Sequence, residues 1–573
     1  MKILLKVIAL AVVFNVTQVK ANEQAILAGQ RAEPIVGQTA MVVTSHQLAT
    51  DIALDILKSG GNAIDAAVAA GFALAVTQPR SGNIGGGGFM LYSPSNTDTV
   101  TAIDYREKAP SKAYETMFLD DLGNSDPILS RFSHLSAGVP GTVAGFALAL
   151  EKFGSMSLAE VLKPAINLSK KGFPVPKRFV DGIAARKKVF QQWPASQSKF
   201  FKQDGSSYRV GELFTQPNLA KTLQLISDKG AAGFYTGETA RLIDAEMKKN
   251  GGLITYDDLA NYQPTVRQAV HGSYRGFDIY SMSPPSSGGV HIVQILNMLE
   301  QYPISKYGHN SAQTIHLMVE AMRRAYADRA RYLGDTDFIE VPLNGLISKS
   351  YADQLVKNIQ LDKATSSADI KAGNAQYYES PETTHFSIVD QFGNAVSNTY
   401  TLNFSYGSGI VVPGTGFLLN NEMDDFSAKP GVANAYGLIG GQANKIEPNK
   451  RMLSSMSPTI VKQDGNNFLV TGSPGGSRII STTLQVIMNV IDHKMNIQTA
   501  VNAPRVHHQW LPDIIRMEQG ISPDTINILK NMGHKVSQKS AMGGSQSILV
   551  NNDSGILYGA ADPRQSTSKA AGF

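Results

Sequence analysis

At 573 residues, 42% hydrophobic and 17% charged, the chain is long and apolar enough to bury a large core without covalent staples. Its net charge of +5 is scattered among acids with no basic run, which argues against a nucleic-acid partner. The absence of cysteine excludes disulfides, thiolate metal sites and a cysteine nucleophile.

Residues 1–21 read as an export signal. Lys2 and Lys6 precede an apolar run over 7–14, and Val19-Lys20-Ala21 has the small-residue pattern of a signal-peptidase site. No later window reaches the ~18 to 20 uninterrupted apolar residues of a spanning helix. The mature protein is therefore expected to be water-soluble, in a bacterial periplasm or secreted.

From His46 to Gln78 the pattern gives two helices. Gly60-Gly61 closes the first and Asn62 caps the second. The alanine-rich segment 63–76, with Asp65 its one charge, is expected to be buried on nearly every side. A glycine-rich loop at 81–88 leads into an apolar strand at 89–92. The loop lacks the G-x-x-x-x-G-K-[ST] phosphate motif and enters a strand rather than a helix, so tight packing or close approach to a ligand suits its glycines better than a nucleotide does. Residues 140–370 are mostly helical in pattern, and 315–331 carries apolar side chains on one face and Arg/Asp on the other. At 371–382 the pattern dissolves into an exposed loop.

Strands begin abruptly at Thr383. Thr384, Phe386 and Ile388 alternate with His385, Ser387 and Val389, and Gly393-Asn394 turns the chain into a second strand over 395–402. Further hairpins are expected around Asp464-Gly465 and around 551–555, with helices at 479–491 and 523–532 between them. Helices alternating with antiparallel hairpins point to layers of helix on sheet.

No G-x-S-x-G elbow and no H-E-x-x-H motif appears, and His507-His508 lacks metal-ligand spacing and reads as a packed pair. Thr383 is different. Should the bond before it break, its own α-amino group, with a reference pKa of about 7.7 to 8.0, would stand beside its hydroxyl as a base. Taken alone, a threonine heading a strand is more often structural.

Six motifs in order change that reading. They are the loop 81–90, Asp104-Tyr105-Arg106-Glu107, Tyr400-Thr401-Leu402-Asn403, the segment 419–426 (Leu-Asn-Asn-Glu-Met-Asp-Asp-Phe), Leu453-Ser454-Ser455-Met456-Ser457-Pro458 and Gly472-Ser473-Pro474-Gly475-Gly476. With the Thr383 junction they resemble the γ-glutamyltranspeptidase family of N-terminal-nucleophile hydrolases over nearly the whole mature chain. The resemblance implies an α/β fold, a four-layer αββα sandwich. It also implies a precursor that cuts itself between Glu382 and Thr383, giving a large subunit (22–382) and a small subunit (383–573) that remain together as a heterodimer forming one catalytic unit.

The resemblance further implies roles. Thr383 is the nucleophile for glutathione and other γ-glutamyl amides, Thr401 orients it, and the amides of Gly475 and Gly476 receive the oxyanion. Arg106 pairs with the donor α-carboxylate, helped by Ser454 and Ser455. Asn403, Glu422 and Asp425 receive the α-ammonium. Some relatives carry Gln where this chain has Glu422. The segment 430–441 resembles a lid over the site, with Tyr436 its contacting residue. The acyl group would pass to water or to an amino acid or peptide. No metal or organic cofactor is implied, because the chain supplies nucleophile, base and oxyanion donors.

Two other readings stand beside this one. A β-lactam (glutaryl-cephalosporin) acylase of the same superfamily would not need the ammonium-binding set. An uncleaved homologue acting as a binding protein would not need Thr383.

Overall fold

The computed structural model describes residues 32–95, 97–370, 383–432 and 438–573. The 1–21 signal segment, Glu382 and Tyr436 lie outside the described residues.

Two seven-stranded antiparallel sheets form the centre. The first runs in the order Lys569–Gly572, Met41–Thr44, Thr384–Val389, Ala395–Thr401, Gly87–Ser93, Thr101–Tyr105, Thr265–Gln268. The second runs Ile35–Gly37, Leu557–Ala561, Gln546–Val550, Asn466–Thr471, Thr459–Gln463, Phe277–Ser281, Val270–Tyr274. Each sheet mixes strands from before and after Thr383, and the strand opening at Thr384 lies between Met41–Thr44 and Ala395–Thr401.

Alternation along the strands divides the core. Met41, Val43, Phe89 and Leu91 meet Ile460, Val470 and Ile548 between the sheets. Val42, Met90, Phe386 and Ile388 turn outward against the helices Gln47–Lys58 and Ala63–Thr77. Ile279, Val461 and Leu469 of the second sheet pack on Gly288–Leu299, Ala312–Tyr332 and Arg478–Ile491. Helix, sheet, sheet and helix are thus stacked in four layers. Among the described residues no helix is long and apolar enough to cross a membrane.

Local chemistry explains the elements nearest the site. Every residue of Ala63–Thr77 is buried, and Asn62 with Asp65 closes a reciprocal capping box at its start. The three hairpins after Thr383 form as the alternation predicts. Glycines 85–88 are a packing device: a Cβ on Gly86 would lie 2.0 Å from the Thr401 carbonyl oxygen, and one on Gly87 would lie 2.4 Å from that of Tyr105. They bring Thr401 and the Arg106 strand together.

One stretch departs from the mostly helical pattern of 140–370. Residues 265–281 are not helical; they form three strands, the last two joined by a turn with Arg275 (φ 50°) and Gly276 (φ 86°). In Ala312–Tyr332 the arginines Arg323, Arg324 and Arg329 are all buried. Arg323 and Arg324 close on buried Glu320, and Arg329 enters the cavity described next.

Candidate active site

Thr383 is 4% exposed, immediately before the interior strand Thr384–Val389 of the first sheet. Its hydroxyl donates to Thr401 Oγ1 at 3.5 Å, and Thr401 Oγ1 also accepts the Asn403 N–H at 2.8 Å. That second bond holds Asn403 at φ 75°, a left-handed turn away from the strand end. The Asn403 Nδ2 donates to Asn421 O at 2.9 Å, so its amide oxygen is the atom suited to a cation.

A small, partly open cavity lies beside Thr383. Thr383, Thr401 and Gly476 line it at one side. Arg106, Asn403, Glu422 and Asp425 line it too, as do Ser454 and Ser455. Gly475 is adjacent to Gly476 but does not itself line the cavity. These two glycines take φ values of 139° and 57°, which side chains rarely adopt, and Arg478–Ile491 starts directly after them. The positive end of that helix therefore lies at the side of the cavity where an oxyanion would form.

The far side is strongly ionic. Arg106 donates to Glu422 at 2.5 Å, to Asp425 at 2.6 Å, to the Met452 carbonyl at 3.3 Å and to Glu107 at 3.4 Å. Three carboxylates crowd one guanidinium, and Glu107 Oε1 and Glu422 Oε1 have no hydrogen-bond donor. Burial pushes the Glu422 carboxyl well above the usual range against the pull of Arg106, and Glu107 and Asp425 beside it raise it further. Burial likewise lifts Glu107 to about 7 and raises Asp425. All three carboxyl groups are thus easier to protonate than free carboxylates, and a cation brought beside them would favour their ionised form.

The two serines are set as donors. Ser454 Oγ accepts the Met456 N–H at 3.1 Å, and Ser455 Oγ accepts from Arg329 at 3.4 Å. A hydroxyl that accepts from the protein keeps its own proton for a ligand. Their loop is fixed by Ser454 N–H donating to Pro285 O and Ser287 N–H donating to Ser454 O, each at 2.8 Å.

Arg329 was missed in the sequence, although a signal existed. It falls on the apolar stripe formed by Ile315, Met318, Met322 and Tyr326, where an arginine is out of place. Leu438, within the segment 430–441, also lines the cavity.

Away from this cavity, His316, Glu320 and His534 have ligand atoms within 4.8 Å of one another. Glu320 is already paired with Arg323 and Arg324 and accepts from Thr365 N, while His316 Nε2 bonds Gln360 O at 2.7 Å. The group reads as a polar brace. His507 and His508 are buried, held by Ser481, Gln509 and Asp513, with pKa values lowered by burial to about 3 and 4.

Comparison with known proteins agrees with this geometry. The profile of the family described as gamma-glutamyltranspeptidase matches residues 49–572. The glutathione hydrolase proenzyme of Escherichia coli (strain K12) is 53% identical over 94% of this chain and 93% of its own. The structure of the Helicobacter pylori gamma-glutamyltranspeptidase is 47% identical, covering 61% of this chain and 99% of its own, with a TM-score of 0.57. The structure of the cephalosporin acylase from Bacillus halodurans is 28% identical, covering 95% of this chain and 97% of its own, with a TM-score of 0.84.

Proposed function

The chain belongs to the γ-glutamyltranspeptidase family, and on that footing we propose that it is a self-processing γ-glutamyl transferase/hydrolase whose nucleophile is Thr383. The observation that carries the reading is one cavity bordered by Thr383 and Gly476 at one side and by Arg106 with the carboxyl groups of Glu422 and Asp425 at the other. A γ-glutamyl donor has those two ends: a scissile amide, and an α-amino acid group several bonds away.

In the uncut chain the nitrogen of Thr383 is an amide and no base. Its hydroxyl attacks the Glu382 carbonyl carbon, the C–N bond breaks, and the nitrogen takes the proton. Water then opens the ester, releasing the Glu382 carboxylate and leaving Thr383 with a free amine and hydroxyl. The amine next accepts the hydroxyl proton as Oγ attacks the donor γ-carbonyl. The Gly475 and Gly476 amides stabilise the oxyanion, a contribution of ~3 kcal/mol for one such donor elsewhere. The leaving amine takes the proton, and the γ-glutamyl ester passes to water or to the amine of an amino acid or peptide.

Arg106 and the Ser454 and Ser455 hydroxyls take the donor α-carboxylate, and Asn403, Glu422 and Asp425 take the ammonium. Retention of these carboxyl groups favours a γ-glutamyl over a glutaryl donor, which has no ammonium to bind. The large piece (22–382) and the small piece (383–573) stay together after the cut because each contributes interior strands to both sheets. The lid segment, with Tyr436, limits water at the ester, so its deletion is expected to raise hydrolysis relative to transfer. Residues 1–21 direct export to the periplasm or medium.

Turnover of γ-glutamyl and glutaryl anilides by the purified processed enzyme tests the assignment. The γ-glutamyl compound should be strongly preferred, and a preference for the glutaryl compound would make the protein an acylase instead.

A further inference from the structure

Arg106 is a heavily engaged cation. Its four bonds to Met452, Glu107, Glu422 and Asp425 occupy all three of its nitrogens. Arg329 lines the same cavity and is 5% exposed. It donates only to two hydroxyls, Ser287 Oγ at 3.0 Å and Ser455 Oγ at 3.4 Å, and forms no ion pair within 4.0 Å among the described residues. A buried guanidinium without a counter-ion is costly unless an anion completes it. Charge points to what is missing: Arg106 is paired directly with three carboxylates, whereas Arg329 is in direct contact with none among the described residues.

We propose that Arg329 is a second determinant of donor specificity, holding the donor α-carboxylate through its uncommitted N–H groups and by fixing the Ser455 hydroxyl as a donor. Its brace reaches both serines. Ser287 Oγ accepts from Arg329 and donates to Ser454 O at 2.8 Å, while Ser455 Oγ accepts from Arg329 directly. The guanidinium thus leaves the Ser455 proton for a ligand and, through Ser287, anchors the backbone of Ser454, whose own hydroxyl accepts from Met456 N–H. Asp425 lies near enough to interact with the Arg329 charge, and Arg106 opposes it. The α-carboxylate would settle between the two arginines, with the ammonium on the carboxyl side. This rests on reading Thr383 as a γ-glutamyl acyl-transfer site.

The test compares three anilide donors: γ-glutamyl, glutaryl (no α-ammonium) and 4-aminobutyryl (no α-carboxylate). It uses processed wild-type enzyme, Arg329→Met, Arg329→Lys and, as a control from the same helix, Arg324→Met. For Arg329→Met the ratio of kcat/KM between the γ-glutamyl and 4-aminobutyryl donors should fall by roughly tenfold or more, through KM rather than kcat. Arg329→Lys should recover part of that ratio, since it restores the charge without the fork. Arg324→Met should lower stability and leave the ratio alone. Cleavage before Thr383 on a denaturing gel shows whether each variant has folded. Equal loss on all donors, or an unchanged ratio in correctly cut Arg329→Met and Arg329→Lys, would overturn the inference while leaving the acyl-transfer reading intact. Failure of the wild-type enzyme to turn over the γ-glutamyl donor would defeat both.

Discussion

Near the C-terminus, Arg505 and Arg564 face Asp562 and Glu518, and each of the four carboxylate oxygens accepts two N–H bonds. In the donor cavity, Arg106 faces Glu107, Glu422 and Asp425, and two carboxyl oxygens accept none. Both clusters are buried and both are ionic. The first is balanced, two charges against two, and complete. The second has an excess of acid and orphaned acceptors, a donor-poor arrangement suited to binding a cation. Their proton affinities differ in the same sense. Burial would raise the Asp562 carboxyl, but Arg505 and Arg564 hold it below its ordinary range, whereas burial prevails at Glu422 and raises it.

Matched substitutions should separate the two clusters. The largest stability effect is expected for Arg505→Met, which leaves Asp562 and Glu518 short of a counter-ion and should cost about 3–5 kcal/mol, read from thermal or denaturant unfolding. Arg106→Met should cost far less stability, because Glu422 and Glu107 can take up protons. It should instead lower kcat/KM for a γ-glutamyl donor by about thirtyfold, equivalent to ~2 kcal/mol. If Arg106→Met unfolds the protein as readily as Arg505→Met, the distinction between the clusters fails.

The pH dependence should also have opposite sign. The lowered pKa of Asp562 contributes stability above its unfolded value of about 3.9, and this is lost as pH falls through the folded value. The raised pKa of Glu422 acts in reverse: its favourable contribution is complete below the unfolded value of about 4.3 and disappears as pH rises through the folded one. Glu422→Gln should therefore match wild type in stability near pH 4 and exceed it at neutral pH, while Asp562→Asn should be less stable at neutral pH. Parallel profiles for the two variants would contradict this assignment. Donor KM should fall as pH rises through about 7, where Glu107 ionises and strengthens the field on the ammonium. The smallest effect is that of Ser455→Ala, which removes one hydroxyl donor and should raise donor KM roughly fivefold, about 1 kcal/mol, with kcat preserved.

What the sequence revealed follows from how local each feature is. The Thr384–Val389 alternation, the Asn62 cap and the Asp464-Gly465 turn are written in adjacent residues, and they form as read. The hairpin Val270–Tyr274 to Phe277–Ser281 was hidden because its turn is Arg275-Gly276 rather than Asn-Gly, a weaker signal for two consecutive left-handed residues. The helix Ala312–Tyr332 shows a deeper limit. Periodicity tells which residues share a face, but not whether a charged face meets water or a buried partner such as Glu320. The site itself was legible only through the family resemblance. Residues 106, 383, 403, 422, 454 and 476 are brought together by sheet pairing, by the glycine packing at 85–88, and by the Asn421 contacts to Asn403 and Phe404. No local spacing encodes that convergence, and none encoded Arg329 as part of it.

The most direct test of the account is the mass and N-terminal sequence of the fragments in purified protein, beside Thr383→Ala. Wild type should give two fragments held in one particle, the smaller beginning at Thr383, with γ-glutamyl turnover; Thr383→Ala should remain one uncut, inactive chain. An uncut wild-type chain that turns over donor, or a small fragment with a different first residue, would contradict Thr383 as the nucleophile.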